Sequence, residues 1–295
     1  VKQVVTAPAI APSARGLLQT VRPVTGDDLH WQGGFSFSPN GCITAALIDP
    51  QCGRATDDLI TPSDIPIVVD YVPNAVVIAA TCNALSGSAA SELGARVRSM
   101  MEAAQGPPIE QELWRGDRAL ADSLPNFFLA GGSPNFQNLT PGASDAIPGF
   151  YALSALQAAL AECNNGARGM IHAPRQVVTM WQRFNVVRIE GSVMLDAYDN
   201  WIVAGAGYDG SDPDGEVDAT GNTMWAYATG LVDVRLGEVN TVPGTGVLAE
   251  ALDRGDNSLT WQANRFTGAT WDGCCHAGAR VNVCDTCCDP DAAGS

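Results

Sequence analysis

The sequence predicts an α+β protein, with helices and strands segregated along the chain rather than alternating. Three observations predict it. Helical periodicities gather between residues 88 and 184, while strand patterns dominate from residue 186 onward. The 31 glycines and 18 prolines supply the many turns such a chain needs. An apolar content of 46% against 16% charged residues excludes disorder, and 295 residues leave room for a sizeable core.

Residues 1–60 read as irregular: an apolar arm, a stretch of β character at 31–37 (WQGGFSF), and turns at Pro39-Asn40-Gly41 and Asp49-Pro50. Two β-rich runs follow at 67–72 and 76–81, divided by Pro73-Asn74. Ser88 is placed to cap a helix that carries Leu93, Val97, Met100, Met101 and Ala104 at helical spacing, and Gly106-Pro107-Pro108 ends it. A short helix occupies 109–116. Residues 119–145, with prolines at 125, 134 and 141, read as loop. Leu153, Leu156 and Leu160 mark a helix over 148–163 that stops at Asn164-Asn165-Gly166. Pro174 opens another, with Val177, Met180, Trp181 and Phe184 on its stripe. Strands are expected at 193–195, 200–204, 224–236, 259–266 and 280–284. Within the third of these runs, over 231–236, Val232, Val234 and Leu236 define one mostly apolar face.

Sixteen basic residues against 32 acidic ones leave a net charge of −16. Nucleic-acid affinity rests on cationic side chains displacing counterions, so tight binding to DNA, RNA or anionic lipid is disfavoured. The most apolar run, 65–82, is broken by Pro66, Asp70, Pro73 and Asn74, short of the roughly 20 apolar residues a membrane-spanning helix needs. The leading residues lack the apolar centre of a secretory signal.

Each chemical motif has a structural alternative. Gly205-Ala206-Gly207-Tyr208-Asp209-Gly210 matches a dinucleotide fingerprint, but a carboxylate-laden turn follows it instead of a helix N-terminus, so a glycine turn is expected. Asp209, Asp212, Asp214, Glu216 and Asp218 are hard-oxygen ligands for calcium, yet their spacing fits an EF-hand poorly, and a solvated loop is expected. Cys274, Cys275, His276, Cys284, Cys287 and Cys288 are weak candidates for a metal site, since only one C-x-x-C is present. Free thiols are the default for these and for Cys42, Cys52, Cys82 and Cys163, with disulfides within or between chains the next alternative. His172, before Ala173-Pro174-Arg175, reads as a packed or capping imidazole. Glu110 and Glu112, two apart on a helix, diverge too much for a glycosidase pair. No catalytic residue and no cofactor site is expected.

The order of segments carries more. An extended arm and a β excursion precede a long helix, then the patch Glu110-Gln111-Glu112-Leu113-Trp114-Arg115-Gly116. The Leu153-Leu156-Leu160 helix, the His172-Ala173-Pro174-Arg175 helix, a glycine turn and the run Trp225-Ala226-Tyr227-Ala228-Thr229-Gly230 follow, before a late strand over 257–266. This order resembles the major capsid protein of tailed bacteriophages, particularly those of actinobacterial hosts, with the Hong Kong 97-type shell fold that encapsulins share. The resemblance spans about 17–283. It implies an N-terminal arm at 1–34, an E-loop region at 35–81, a peripheral domain at 82–145 with its spine helix over 88–105, and an axial domain at 146–237. Residues 238–295 would complete the peripheral domain, through the strand bearing Trp261, and end in a cysteine-rich tail.

The implied function is a non-enzymatic coat subunit that self-assembles into hexamers and pentamers of an icosahedral shell. The shell would enclose double-stranded DNA without binding it specifically. Implied partners are other copies, a portal, and scaffold or decoration proteins; the implied location is the virion, with the host cytoplasm during assembly. The arm and E-loop would be ordered by neighbouring copies. The only lysine is Lys2, so a lysine–asparagine crosslink between subunits is not expected. The alternatives are a neck, tail or decoration protein, or a secreted β-rich hydrolase or binding module using the acidic loop and cysteines.

Overall fold

A computed structural model describes residues 14–25, 29–37, 69–82, 87–133, 135–140, 142, 146–243, 252–253, 258–271 and 273–283. The chain opens with α1 (Leu17–Thr20) and β1 (Val24–Thr25), then a 3-10 turn (Leu29–Gly33). Strand β2 (Phe35–Phe37) pairs antiparallel with β3 (Val69–Tyr71). Strand β4 (Asn74–Cys82) leads into the 18-residue helix α2 (Gly87–Ala104). The prolines at 107 and 108 do not stop the helical course. They start α3 (Gly106–Arg115), where a missing N–H costs nothing, and Gln105 forms the break. Gly116, at φ +63°, ends α3, and α4 (Asp117–Ala121) follows at once. The Glu112 carboxylate accepts the N–H groups of Arg118 and Ala119 and so fixes the corner.

Two short strands, β5 (Phe136–Asn138) and β6 (Ile147–Pro148), precede α5 (Gly149–Cys163). Next come β7 (Met170–His172), α6 (Arg175–Arg183), β8 (Arg188–Glu190), β9 (Val193–Leu195), β10 (Trp201–Val203) and β11 (Thr223–Thr229). The chain continues through β12 (Asp233–Leu236), β13 (Asn240–Pro243), β14 (Leu252–Asp253), β15 (Ser258–Thr270) and β16 (His276–Asn282).

Apart from the two-stranded β2–β3 sheet, these strands build two larger sheets. In the first, the 13-residue β15 takes β4 along one edge over nine residue pairs, and β12, β13 and β14 along the other, with β1 outside β12. Helix α2 covers this sheet: Leu93, Val97 and Met101 pack with Val239, Ala263 and the ring of Trp261. The second sheet runs β5-β16-β11-β7-β10-β9-β8, with β6 also on β16. Helices α5 and α6 cover one of its faces through Leu153, Leu156, Leu160, Val177 and Trp181. The Trp181 indole N–H donates to the Gly149 carbonyl and ties the two helices together. A further core, centred on Trp114, Tyr227 and Trp271, joins α1, α3 and both sheets.

Several expectations change. The run 224–236 is not one strand: β11 and β12 belong to different sheets, parted at Gly230 and at Leu231, which is exposed. The apolar face of 232–236 holds, with Val232, Val234 and Leu236 buried. The loop expected over 119–145 contains part of α4 and β5. Helix α2 has begun by Gly87, so Ser88 lies within it. The last strand starts at His276, not at 280, and sits inside the second sheet, between β11 and β5, whereas β15 with Trp261 lies in the first. Residues 15–25 are fastened to the chain's own body: Leu17 is fully buried, the Ala204 N–H donates to the Arg15 carbonyl, and β1 pairs with β12. The tip of the expected E-loop and Cys284, Cys287 and Cys288 lie outside the described residues.

Candidate functional site

The sequence motifs resolve into a buried polar framework. Glu110, 2% exposed, accepts the N–H of Leu17 at 2.8 Å on one oxygen and that of Gly207 at 3.0 Å on the other. The fingerprint glycines serve close packing: a Cβ at Gly207 would collide with the Pro107 carbonyl oxygen. Glu110 and Glu112 address different backbones, as their spacing on the helix requires. Nearby, the Trp114 indole N–H donates to the Ser211 hydroxyl, and the Tyr227 hydroxyl donates to the Ser211 carbonyl.

His172 is fully buried with both ring nitrogens engaged. The Thr229 hydroxyl donates to the Gly230 carbonyl, so its oxygen accepts from His172 Nε2–H, and Nδ1 accepts the Tyr208 hydroxyl proton. This assigns the neutral tautomer. Burial, with the nearby His276 second, pushes the imidazole down to about 3. His276 donates from Nε2 to the Leu129 carbonyl, and burial lowers it to about 4. Neither imidazole meets a carboxylate among the described residues, so no triad forms around them. The same desolvation raises Tyr208 and Tyr227 well above the usual phenol range.

The acidic loop turns its oxygens inward on its own backbone. Asp212 accepts the N–H groups of Asp214 and Glu216. Asp218 accepts four hydrogen bonds, from the N–H and hydroxyl groups of Thr220 and Thr223, which hold its carboxyl far below the ordinary range. Among the described residues no group of three acids, histidines or cysteines could hold a metal ion. Of the cysteine-region candidates, Cys275 forms a disulfide with Cys163 and Cys274 is also disulfide-bonded, while His276 is packed against Phe136 and Trp271. The free-thiol default fails for these three cysteines.

What the sequence reading missed is an exposed aromatic face. Phe150 and Tyr151 at the start of α5, Phe184 just past α6, Ile189 on β8 and Tyr198 after β9 are all exposed, Tyr198 to 72%. The Phe150 ring lies 5.9 Å from Tyr151 and 6.5 Å from Phe184, centroid to centroid. Phe184, placed on the buried stripe of its helix by spacing, is thus a surface residue. Tyr198 forms a ridge between two clefts, of ≈ 630 Å³ and ≈ 410 Å³; the larger is lined by Phe150, Leu153, Val186 and Val187. Arg188 pairs with Glu190 and Asp199 at the rim, and these anions raise its already high pKa. The face could have been suspected from Tyr151, which falls outside the Leu153-Leu156-Leu160 stripe. Its charge is also distinctive. Residues 146–204 hold four arginines (168, 175, 183 and 188) against four acids (Glu162, Glu190, Asp196 and Asp199), so the net −16 lies wholly elsewhere.

No family profile matches the chain, and no curated protein matches it in sequence. Solved structures do match, over almost its full length. The capsid of a native GTA particle is 10% identical, with a TM-score of 0.54 over 96% of this chain and 94% of that one. Microbacterium phage Oxtober96 is 13% identical, with a TM-score of 0.52 over 96% and 95%. A holo-encapsulin complex from Synechococcus elongatus is 11% identical, with a TM-score of 0.51 over 97% and 92%. The two sheets, the α2 helix laid across the first and the α5–α6 pair laid across the second therefore compose the Hong Kong 97-type major-capsid fold.

Proposed function

We propose that this chain is the major coat subunit of a tailed-phage-like virion, assembling through hexamers and pentamers into an icosahedral shell around double-stranded DNA. The observation that carries the reading is the end-to-end fold match to capsid and encapsulin chains, with more than 90% of both partners covered. On this reading 82–145, with α2, belongs to the peripheral domain and 146–237, with the α5–α6 unit, to the axial domain. Portal, scaffold and decoration proteins are the further partners.

Two physical features support it. A chain with net −16 repels its own copies, and the α5–α6 unit is where that repulsion vanishes locally. The same unit displays the aromatic face, whose rings gain by leaving water in contact with another copy. A shell multiplies such modest contacts by symmetry, so no single interface has to be strong. The strongly shifted imidazoles, for their part, are enclosed by partners and not opened to a substrate, which accords with a non-enzymatic subunit.

Electron microscopy of the purified chain, concentrated at neutral pH and moderate salt, tests the proposal. Closed shells are expected. Rings or tubes would indicate a neck or tail component, and dispersed monomers at every concentration would overturn the reading.

A further inference from the structure

Cys163 is the last residue of α5, half-buried at the helix end, whereas Cys275 is wholly buried just before β16. Their Cα atoms are 5.2 Å apart, although 112 residues separate them in sequence. That spacing lies within the range a disulfide requires. Ala152, Leu156 and Leu160 of α5 share one buried cluster with Ala279 and Val281 of β16, so apolar packing as well as the bond holds the two cysteines near each other.

We propose that this pair is a redox lock, closed after folding by a small-molecule disulfide that enters at Cys163. Only Cys163 is open to solvent, so the first exchange occurs there. Its thiolate attacks the external disulfide, forming a mixed disulfide and releasing one small thiol. The Cys275 thiolate then attacks Cys163 Sγ, the protein disulfide forms, and a second small thiol leaves. The two protein thiols are oxidised, the external disulfide is reduced to two thiols, and the two protons lost by the protein end on the departing small thiolates. In the reduced chain the Leu160 carbonyl, 3.9 Å away, can accept the Cys163 S–H. Cys275 is enclosed by apolar neighbours, so an external disulfide does not reach it first. A chain made in a reducing compartment thus folds as a dithiol, and α5 is bolted to the second sheet only later.

The test uses the full chain purified under reductant, then exposed to glutathione disulfide, quenched with an alkylating agent and mapped by peptide mass spectrometry. The wild type should acquire a 163–275 crosslink with no lasting glutathione adduct on Cys163. Cys275→Ser should instead accumulate that adduct at Cys163. Oxidised wild type should melt on the order of 10 °C above the reduced form, the size expected when a loop this long is closed. Cys163→Ser should lose most of that difference, which separates this bond from the one at Cys274. Free, alkylated Cys163 after prolonged oxidation would overturn the proposal. So would an unchanged melting difference in Cys163→Ser, a readout that stands even where Cys275→Ser does not fold. Shell formation is scored separately by microscopy, so failure of the lock is distinguishable from failure of the coat-subunit reading.

Discussion

The Glu110 carboxylate lies 3.0 Å from the backbone nitrogen of Gly207 and accepts its hydrogen bond, binding α3 to the glycine turn that precedes the acidic loop. Its second oxygen holds the Leu17 N–H, so one buried side chain fastens two distant segments. Glu110→Ala leaves two N–H groups short of a partner and should destabilise the fold by about 3 kcal/mol. Gly207→Ala should do worse, because its Cβ collides with the Pro107 backbone, which cannot swing aside as a flexible side chain would. Thermal melting of both variants against wild type checks the order.

Stability should fall with pH because of His172. Its folded pKa is depressed to about 3 from 6.5, so below pH 6.5 the unfolded chain binds a proton that the folded chain refuses. The contribution is fully present above pH 6.5 and is lost at about 1.4 kcal/mol per pH unit down to about pH 3. His276 adds the same sign between 6.5 and about 4. Melting curves from pH 7.5 to 4 should show the decline, and His172→Gln should flatten its slope. A wild-type slope unchanged in that variant would refute the assignment.

Replacing the aromatic face should separate folding from assembly. The double variant Phe184→Ser, Tyr198→Ser removes exposed rings, so its melting temperature should stay within about 2 °C of wild type, the usual range for surface changes. Particle formation, followed by light scattering, should nevertheless fall at least tenfold. Normal shells from the variant would remove this face from the contact surfaces.

The acidic loop should be indifferent to calcium. Asp212 and Asp218 already spend their oxygens on backbone and hydroxyl donors of the same loop. Adding millimolar calcium or a chelator should therefore leave the melting temperature unchanged, whereas a clear upward shift with calcium would show a bound ion.

Leu156→Ala probes the second core directly. The side chain is completely buried between α5 and the sheet, so its loss should cost about 3–5 kcal/mol in denaturant unfolding.

How much of this was legible in the sequence follows a physical division. Helices α2, α5 and α6 were readable because Leu93-Val97-Met101, Leu153-Leu156-Leu160 and Val177-Trp181 repeat with the helical period and are buried, although Met100 and Met180 on the same expected stripes are only half-buried and Ala104 is exposed. Strand β7 was not, because three residues between Gly169 and Ala173 are too few to show a period. The parting of β11 from β12 was hidden for a related reason: both carry strand-forming residues, and the sheet each one joins is decided by distant partners, His276–Asn282 for one and Thr267–Thr270 for the other. The expected glycine turn at 205–210 held, but its pairing with Glu110 is a contact across 97 residues that no local pattern records. The Cys163–Cys275 bond was invisible for the same reason. Phe184 was misjudged because helical spacing reports the direction of a side chain and not whether anything covers it.

The position of β16 has a consequence for biosynthesis. The second sheet has β16 in its interior, flanked by β11 and β5. A ribosome must therefore deliver residue 282 before α5 finds its complete floor. A polypeptide cut short of His276 would leave both neighbouring strands with open hydrogen-bonding edges and α5 without Ala279 and Val281 beneath it, so early termination yields an unfinished sheet and not a smaller complete one.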